Sequence, residues 1–417
     1  MSILLTNIKE LFQTREQGNA PLRGAQMDVV PSIQNAFLYI EEGRIVDYGL
    51  MDDFPVHPAG EVLDCSNQII LPGYVDSHTH LVFAATRESE FEDRINGLSY
   101  EEIAARGGGI INSAKRLRDM SEDDLFEQAL ARLERLVLKG TTSLEIKSGY
   151  GLDVDSELKM LRVIKRLKDY VFPQGFKVPI KSTFLGAHAI PPEFKNDRSG
   201  YMDLLIKNML PAIAAENLAV YIDVFCEKNY FTVAEMLKIM EAGSAFGLKS
   251  KVHVNQFNSL GAVEAAVKAG AVSVDHLEVM LEEDFKALSS SNTIATALPS
   301  CSFFLGLDYS PVKEMMKNNI AISLASDFNP GSTPSGNLNF VYALACIKMR
   351  MTPSQALNAL TINAAHAMGL QEEVGSITKG KKANLLFLDD IDGLAAIPYH
   401  FGENRISQVM IDGIFVD

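Results

Sequence analysis

Between about residue 70 and residue 330, short β-prone apolar runs alternate with amphipathic helical stretches, and that alternation leaves few folds open. Eight strands are predicted, near residues 73–76, 141–145, 180–185, 221–225, 249–254, 271–274, 293–297 and 320–324. The helices carry start signals. Ser121 with Asp124 and Thr232 with Glu235 fit the pattern in which side chains cap orphan amides, and Thr352-Pro353-Ser354-Gln355 adds a proline in the first turn. From Ser121 to Gly140, residues Leu125, Leu133, Leu136 and Val137 share one face, which predicts that this helix lies on the sheet. Eight such units over roughly 250 residues match a closed (β/α)8 TIM barrel, whose chemistry sits at the carboxyl ends of its strands. A doubly wound open sheet is the alternative.

The two ends of the chain read differently. β-type stretches at 36–40, 44–48, 384–388 and 406–416 are separated by Gly, Asp and Asn turns. Neither end holds enough sheet to be stable by itself. Both are therefore expected to meet in one small β-sandwich, which divides the chain into a composite domain of residues 1–70 and 370–417 and a catalytic barrel of residues 71–369.

Composition narrows the function. With 47% apolar and 22% charged residues among 417, the chain is neither disordered, collagen-like nor an integral membrane protein. Lys and Arg number 38 against 53 Asp and Glu, a net charge of −15, so the positive field of a nucleic-acid or anionic-membrane binder is missing and a small-molecule partner is favoured. Cys65, Cys226, Cys301 and Cys346 form no C-x-x-C pair, and no export signal is visible, so reduced thiols in the cytoplasm are expected. The uncharged stretch 287–307 is long enough to span a membrane, but its Ser, Thr, Asn and Pro content fits barrel core and loop better.

Five of the eight histidines follow predicted strands. In His78-Thr79-His80, alternate residues of an extended chain present two imidazoles on one side. An isolated H-x-H pair is more often just two polar residues at a strand end. Here the strand at 73–76 feeds it onto the barrel rim, where His253, His276 and Asp327 follow strands five, six and eight. Four imidazoles and a carboxylate at one mouth suit a divalent ion such as Zn²⁺, and ligand type alone does not separate it from Fe²⁺ or Mn²⁺. His57, His366 and His400 lie away from the strand ends and receive no role. Gly107-Gly108-Gly109 lacks a phosphate-loop pattern and reads as a loop near the site.

The stretch Leu71-Pro72-Gly73-Tyr74-Val75-Asp76-Ser77-His78-Thr79-His80, with the later histidines and Asp327, closely resembles the amidohydrolase superfamily. A narrower likeness rests on Arg106-Gly107-Gly108-Gly109-Ile110, Glu145-Ile146-Lys147-Ser148-Gly149-Tyr150-Gly151, Phe184-Leu185-Gly186-Ala187-His188 and Ser326-Asp327-Phe328-Asn329-Pro330-Gly331-Ser332. These resemble, over nearly the whole chain, the members that open an imidazolone ring in histidine degradation. The resemblance implies hydrolysis of 4-imidazolone-5-propanoate to N-formimidoyl-L-glutamate. It implies one divalent ion, Zn²⁺ or Fe²⁺, on His78, His80, His253 and Asp327, because strand four runs into Cys226-Glu227-Lys228 without the bridging lysine of two-metal relatives. It further implies proton transfer by Asp327 or His276, substrate contacts from Arg87, Tyr150, His188, Gln256, Asn329, Gly331 and Ser332, and a homodimer.

The residue types suit that substrate. The guanidinium fork of Arg87 fits a propionate, His188 is expected to steady the oxyanion, and Tyr150 offers a ring face, although tyrosine is as often core. Many relatives carry glutamate three residues after the strand-five histidine; Gln256 stands there in this chain and cannot ionise. Nucleobase deamination, which would release ammonia and leave the ring closed, is the competing enzyme reading, and an inactive barrel used for binding is the other.

Overall fold

All eight predicted runs form strands of one parallel sheet. The computed structural model describes residues 2–16, 20–55, 60–98, 102–103, 106 and 108–416, so His57 and Gly107 lie outside the described residues. The strands are β1 (Ser2–Phe12), β2 (Ser32–Glu41), β3 (Arg44–Leu50), β4 (Glu61–Asp64), β5 (Gln68–Pro72), β6 (Tyr74–Asp76), β7 (Thr141–Lys147), β8 (Ile180–Ala187), β9 (Tyr221–Cys226), β10 (Lys249–Val254), β11 (Ser273–His276), β12 (Ile294–Ala297), β13 (Ile322–Leu324), β14 (Leu385–Asp389), β15 (Ile406–Ile411) and β16 (Ile414–Val416).

Strands β6 to β13 pair in sequence order. The ring closes just beyond them: Thr79 bridges Phe328 in parallel, the His80 amide donates to the Phe328 carbonyl at 2.8 Å, and the Asp327 amide donates to the His78 carbonyl at 3.0 Å. Those contacts make a barrel of what could have been an open sheet. Almost every residue of β6 to β13 is buried, as strands filled on one face and covered by helices on the other must be.

The covering helices start where capping chemistry allows. Ser121 accepts from the Asp124 amide ahead of Glu122–Val137, while Thr232 with Glu235 and Thr352 with Gln355 form reciprocal boxes ahead of Val233–Ala245 and Pro353–Leu360. Leu125, Leu133, Leu136 and Val137 are buried as their spacing predicts, each contributing roughly 1.5–3 kcal/mol. Gly140 ends that segment at φ +98°, and a Cβ there would meet Ile406 of β15 at 2.5 Å, so only glycine permits this approach of barrel and end sheet.

The chain ends share the second sheet, ordered β16-β15-β14-β5-β1-β2-β3 with β4 pairing β1. The segment leading into β14 ties to the β2–β3 hairpin: the Ala383 amide donates to the Gly43 carbonyl at 2.8 Å and the Gly380 amide to the Ile45 carbonyl at 2.7 Å. Leu5, Ile8, Leu38, Ile45, Ile70, Phe387 and Met410 form the core of this sheet. All four cysteines are free, and no helix among the described residues is long and apolar enough to cross a membrane.

Candidate active site

His78 and His80 leave β6, His253 lies near the end of β10, and Asp327 follows β13. Their free atoms converge. The Nε2 atoms of His80 and His253 are 3.4 Å apart, and Asp327 Oδ1 is 3.5 Å from His78 Nε2 and 3.6 Å from His80 Nε2. Nitrogen and oxygen donors about 2.1 Å from a shared centre stand about 3.4 Å from one another, and these three spacings are of that order; His78, His80 and His253 form a set whose ligand atoms all lie within 4.8 Å, with Asp327 against it on the side of His78 and His80. His78 Nε2 is fully buried without a hydrogen-bond partner, an arrangement that costs free energy unless a ligand satisfies it. Asp327 (φ +54°) and His276 (φ +90°) hold left-handed backbone, unusual for residues with a side chain and costing of order 1–3 kcal/mol each. Asn329 Nδ2 and Ser310 Oγ brace them by donating to their carbonyls, both at 2.7 Å.

Beneath the donors lies a buried ionic floor that strand-by-strand reading missed. His78 Nδ1 is 2.7 Å from Asp275 Oδ2, and His253 Nδ1 is 2.9 Å from Asp223 Oδ2. A carboxylate only accepts, so His78 Nδ1 carries the hydrogen and its Nε2 points a lone pair inward, while His253 Nδ1 faces Asp223 without a formed hydrogen bond. Lys147 Nζ sits 2.8 Å from both Glu145 Oε1 and Asp223 Oδ2 and 3.7 Å from Asp275 Oδ2, while Lys251 contacts Glu145 and donates to the Ser77 carbonyl at 2.8 Å. Burial works against the Lys147 cation, but Asp223, Glu145 and Asp275 outweigh it and raise its pKa. Burial, then Lys147 and neighbouring imidazoles, holds His78 and His253 far below the usual histidine value, and burial with His188 does the same for His80. All three are neutral donors at pH 7. The available signal was the charge itself: Glu145, Lys147, Asp223, Lys251 and Asp275 interrupt otherwise apolar strands, where charges survive only when paired.

Arg87, Tyr150, His188, Gln256, Asn329, Gly331 and Ser332 all line one cavity with His80, His253, His276 and Asp327. His78 lies behind its wall. Arg87 is buried, with Nε and Nη2 both donating to Ser113 Oγ at 2.9 and 2.8 Å. Nη1 runs over Gly331, where a Cβ would stand 2.4 Å from it. A Gly331→Ala enzyme should therefore displace the guanidinium and raise KM about 10-fold or more while kcat changes little, as steady-state kinetics will read.

His188 is arranged differently from the oxyanion donor expected of it. Its Nδ1 lies 3.0 Å from the Gly149 carbonyl, and burial brings its pKa to about 4. The neutral ring thus spends its hydrogen on Gly149 and offers Nε2 as an acceptor, suited to a ring N–H of a ligand. Asn329 is spent on the loop itself, its Oδ1 accepting from the Gly331 and Ser332 amides at 2.8 Å each. Gln256 Nε2 donates to Cys301 Sγ at 3.4 Å.

The amidohydrolase family profile matches residues 69–416, the barrel together with β5 and β14 to β16. The chain belongs to the amidohydrolase family. This amidohydrolase is 54% identical over 413 residues to an imidazolonepropionase from Flavobacterium johnsoniae, covering 99% of each chain. Among solved structures, a triazine hydrolase from Arthrobacter aurescens superposes with a TM-score of 0.73 at 15% identity, over 99% of this chain and 94% of that one. An adenosine deaminase from Xanthomonas campestris with bound zinc reaches 0.70 at 14% identity, over 99% and 92%. At such identities the two structures speak for the shared fold.

Proposed function

We infer that this amidohydrolase has imidazolonepropionase activity: it hydrolyses 4-imidazolone-5-propanoate to N-formimidoyl-L-glutamate in histidine degradation. The observation that carries this reading is the full-length 54% identity to an imidazolonepropionase, on a site whose cavity pairs a buried arginine with three neutral imidazoles and a carboxylate. His78, His80, His253 and Asp327 would hold one divalent ion. Such an ion supplies a Lewis acid and acidifies water at the site to a pKa of about 7. Imidazole and carboxylate donors suit Zn²⁺ or Fe²⁺, and elemental analysis decides between them.

Arg87 would grip the propionate through Nη1, which lies 3.9 Å from Glu90 Oε2, with Tyr150 beside it, and His188 would accept from a ring N–H. That leaves the ring carbonyl facing the donors. Water adds to the carbonyl carbon, the carbon–nitrogen bond of the ring breaks, and His276 or Asp327 passes the proton lost by water to the departing nitrogen. A neutral nucleobase would find no use for Arg87, which disfavours deamination. The reaction test is direct: metal-replete protein given 4-imidazolone-5-propanoate should bleach the imidazolone ultraviolet band without releasing ammonia. Ammonia release from a nucleobase, or no turnover of the imidazolone, would refute the reading. The cytoplasmic location and the homodimer belong to the same proposal, the latter checked by sedimentation.

A further inference from the structure

Glu278 belongs to neither the proposed donor set nor the cavity lining, yet it is only 8% exposed and lies beside His276. His276 (φ +90°) and Leu277 (φ +67°) are two successive side-chain-bearing residues in the left-handed region, which only surrounding contacts can maintain. Ser310 Oγ holds the His276 carbonyl at 2.7 Å, and the Val279 amide donates to the Asn255 carbonyl at 2.9 Å. The reversal brings Glu278 Oε1 to 3.5 Å from His276 Nδ1, and Ser302 Oγ donates to that same oxygen at 3.0 Å. His276 Nδ1 and Glu278 Oε2 are buried atoms with no hydrogen bond of their own. The cavity wall is therefore formed by another part of the His276 ring.

We propose that Glu278 is a positioning residue for His276: its carboxylate keeps the hydrogen on Nδ1, so that Nε2 faces the reacting water as a lone pair. The inference rests on the hydrolytic reading above. A carboxylate cannot donate, so it selects one tautomer of the two. As the water oxygen bonds to the ring carbonyl carbon, its proton passes to Nε2. When the carbon–nitrogen bond breaks, that proton moves to the departing nitrogen, and Glu278 has neither gained nor lost one. Between the two transfers its negative charge steadies the imidazolium. The backbone reversal thus serves to place an acceptor behind the histidine.

The test is Glu278→Gln in the metal-loaded enzyme. An amide keeps the volume and the acceptor for Ser302, but carries donor and acceptor together and no longer selects a tautomer. The expected result is a kcat about 100-fold lower, with KM and one metal per chain unchanged. In ¹⁵N spectra of labelled histidine, assigned with His276→Asn, His276 should pass from a single Nδ1–H form to a mixture. Unchanged kcat and tautomer would overturn the proposal, as would loss of a second metal equivalent, which would make His276, Glu278 and Cys301, whose donor atoms lie within 4.8 Å of one another, an ion site instead. If Glu278→Gln does not fold, Ser302→Ala replaces it: kcat several-fold lower at constant KM supports the proposal and unchanged kcat overturns it. Turnover by the parent enzyme separates failure here from failure of the activity reading, and the tautomer measurement needs no turnover.

Discussion

Asp327→Ala protein, prepared with excess divalent metal and then dialysed, should lose its ion and at least about 1,000-fold of its turnover. Of the four proposed donors Asp327 is the sole anion, so its removal would take away a charge as well as a ligand. His78→Ala should behave alike, since its Nε2 has no other partner. Acid should mimic the loss. Burial raises the Asp327 carboxyl, and although His276 and Cys301 pull it back, it titrates near 6 in the metal-free chain. Below that pH an incoming ion must displace a proton, so affinity falls as pH drops through 6 and is restored above it. Elemental analysis after dialysis at pH 5 and pH 8 checks the direction; full metal content and activity in either variant would remove the metal assignment.

Lys147→Met should be the most destabilising single change in the barrel. The substitution keeps most of the volume but removes the cation beside Asp223 and Asp275 in a site closed to water and leaves Glu145 with Lys251 alone, and breaking a buried ion pair in this way costs about 3–5 kcal/mol. The denaturation midpoint should fall accordingly, and metal affinity with it, because Asp223 and Asp275 also orient His253 and His78. A midpoint equal to the parent's would mean that the three carboxylates find another cation or a proton.

The barrel was readable in sequence because each of its strands is a short apolar run punctuated by turn residues, and the donors were readable because they sit where such strands end. The long strand β1 was not: Asn7 takes φ +55° and the pairing with β2 shifts register between Leu5 and Ile8, which breaks the alternation that marks a strand. Residues 406–416 looked like one strand but turn at Asp412-Gly413 into a hairpin. At the site, the residue types of the cavity were visible and their hydrogen-bond directions were not. The acceptor role of His188 depends on the Gly149 carbonyl, and the alignment of His253 with Asp275 depends on the register of β10 against β11. Both are relations between distant segments, which a one-dimensional pattern does not contain.

The join between the first and last barrel strands runs through Thr79 and Phe328, each flanked by a donor, His80 on one side and Asp327 on the other. An ion held by those two side chains, as proposed, would fasten the cylinder where its first and last strands meet, much as a rivet closes a hoop. His78 and Asp327 lie about 250 residues apart in the chain, so the proposed donor set is complete only once the last barrel strand has been made.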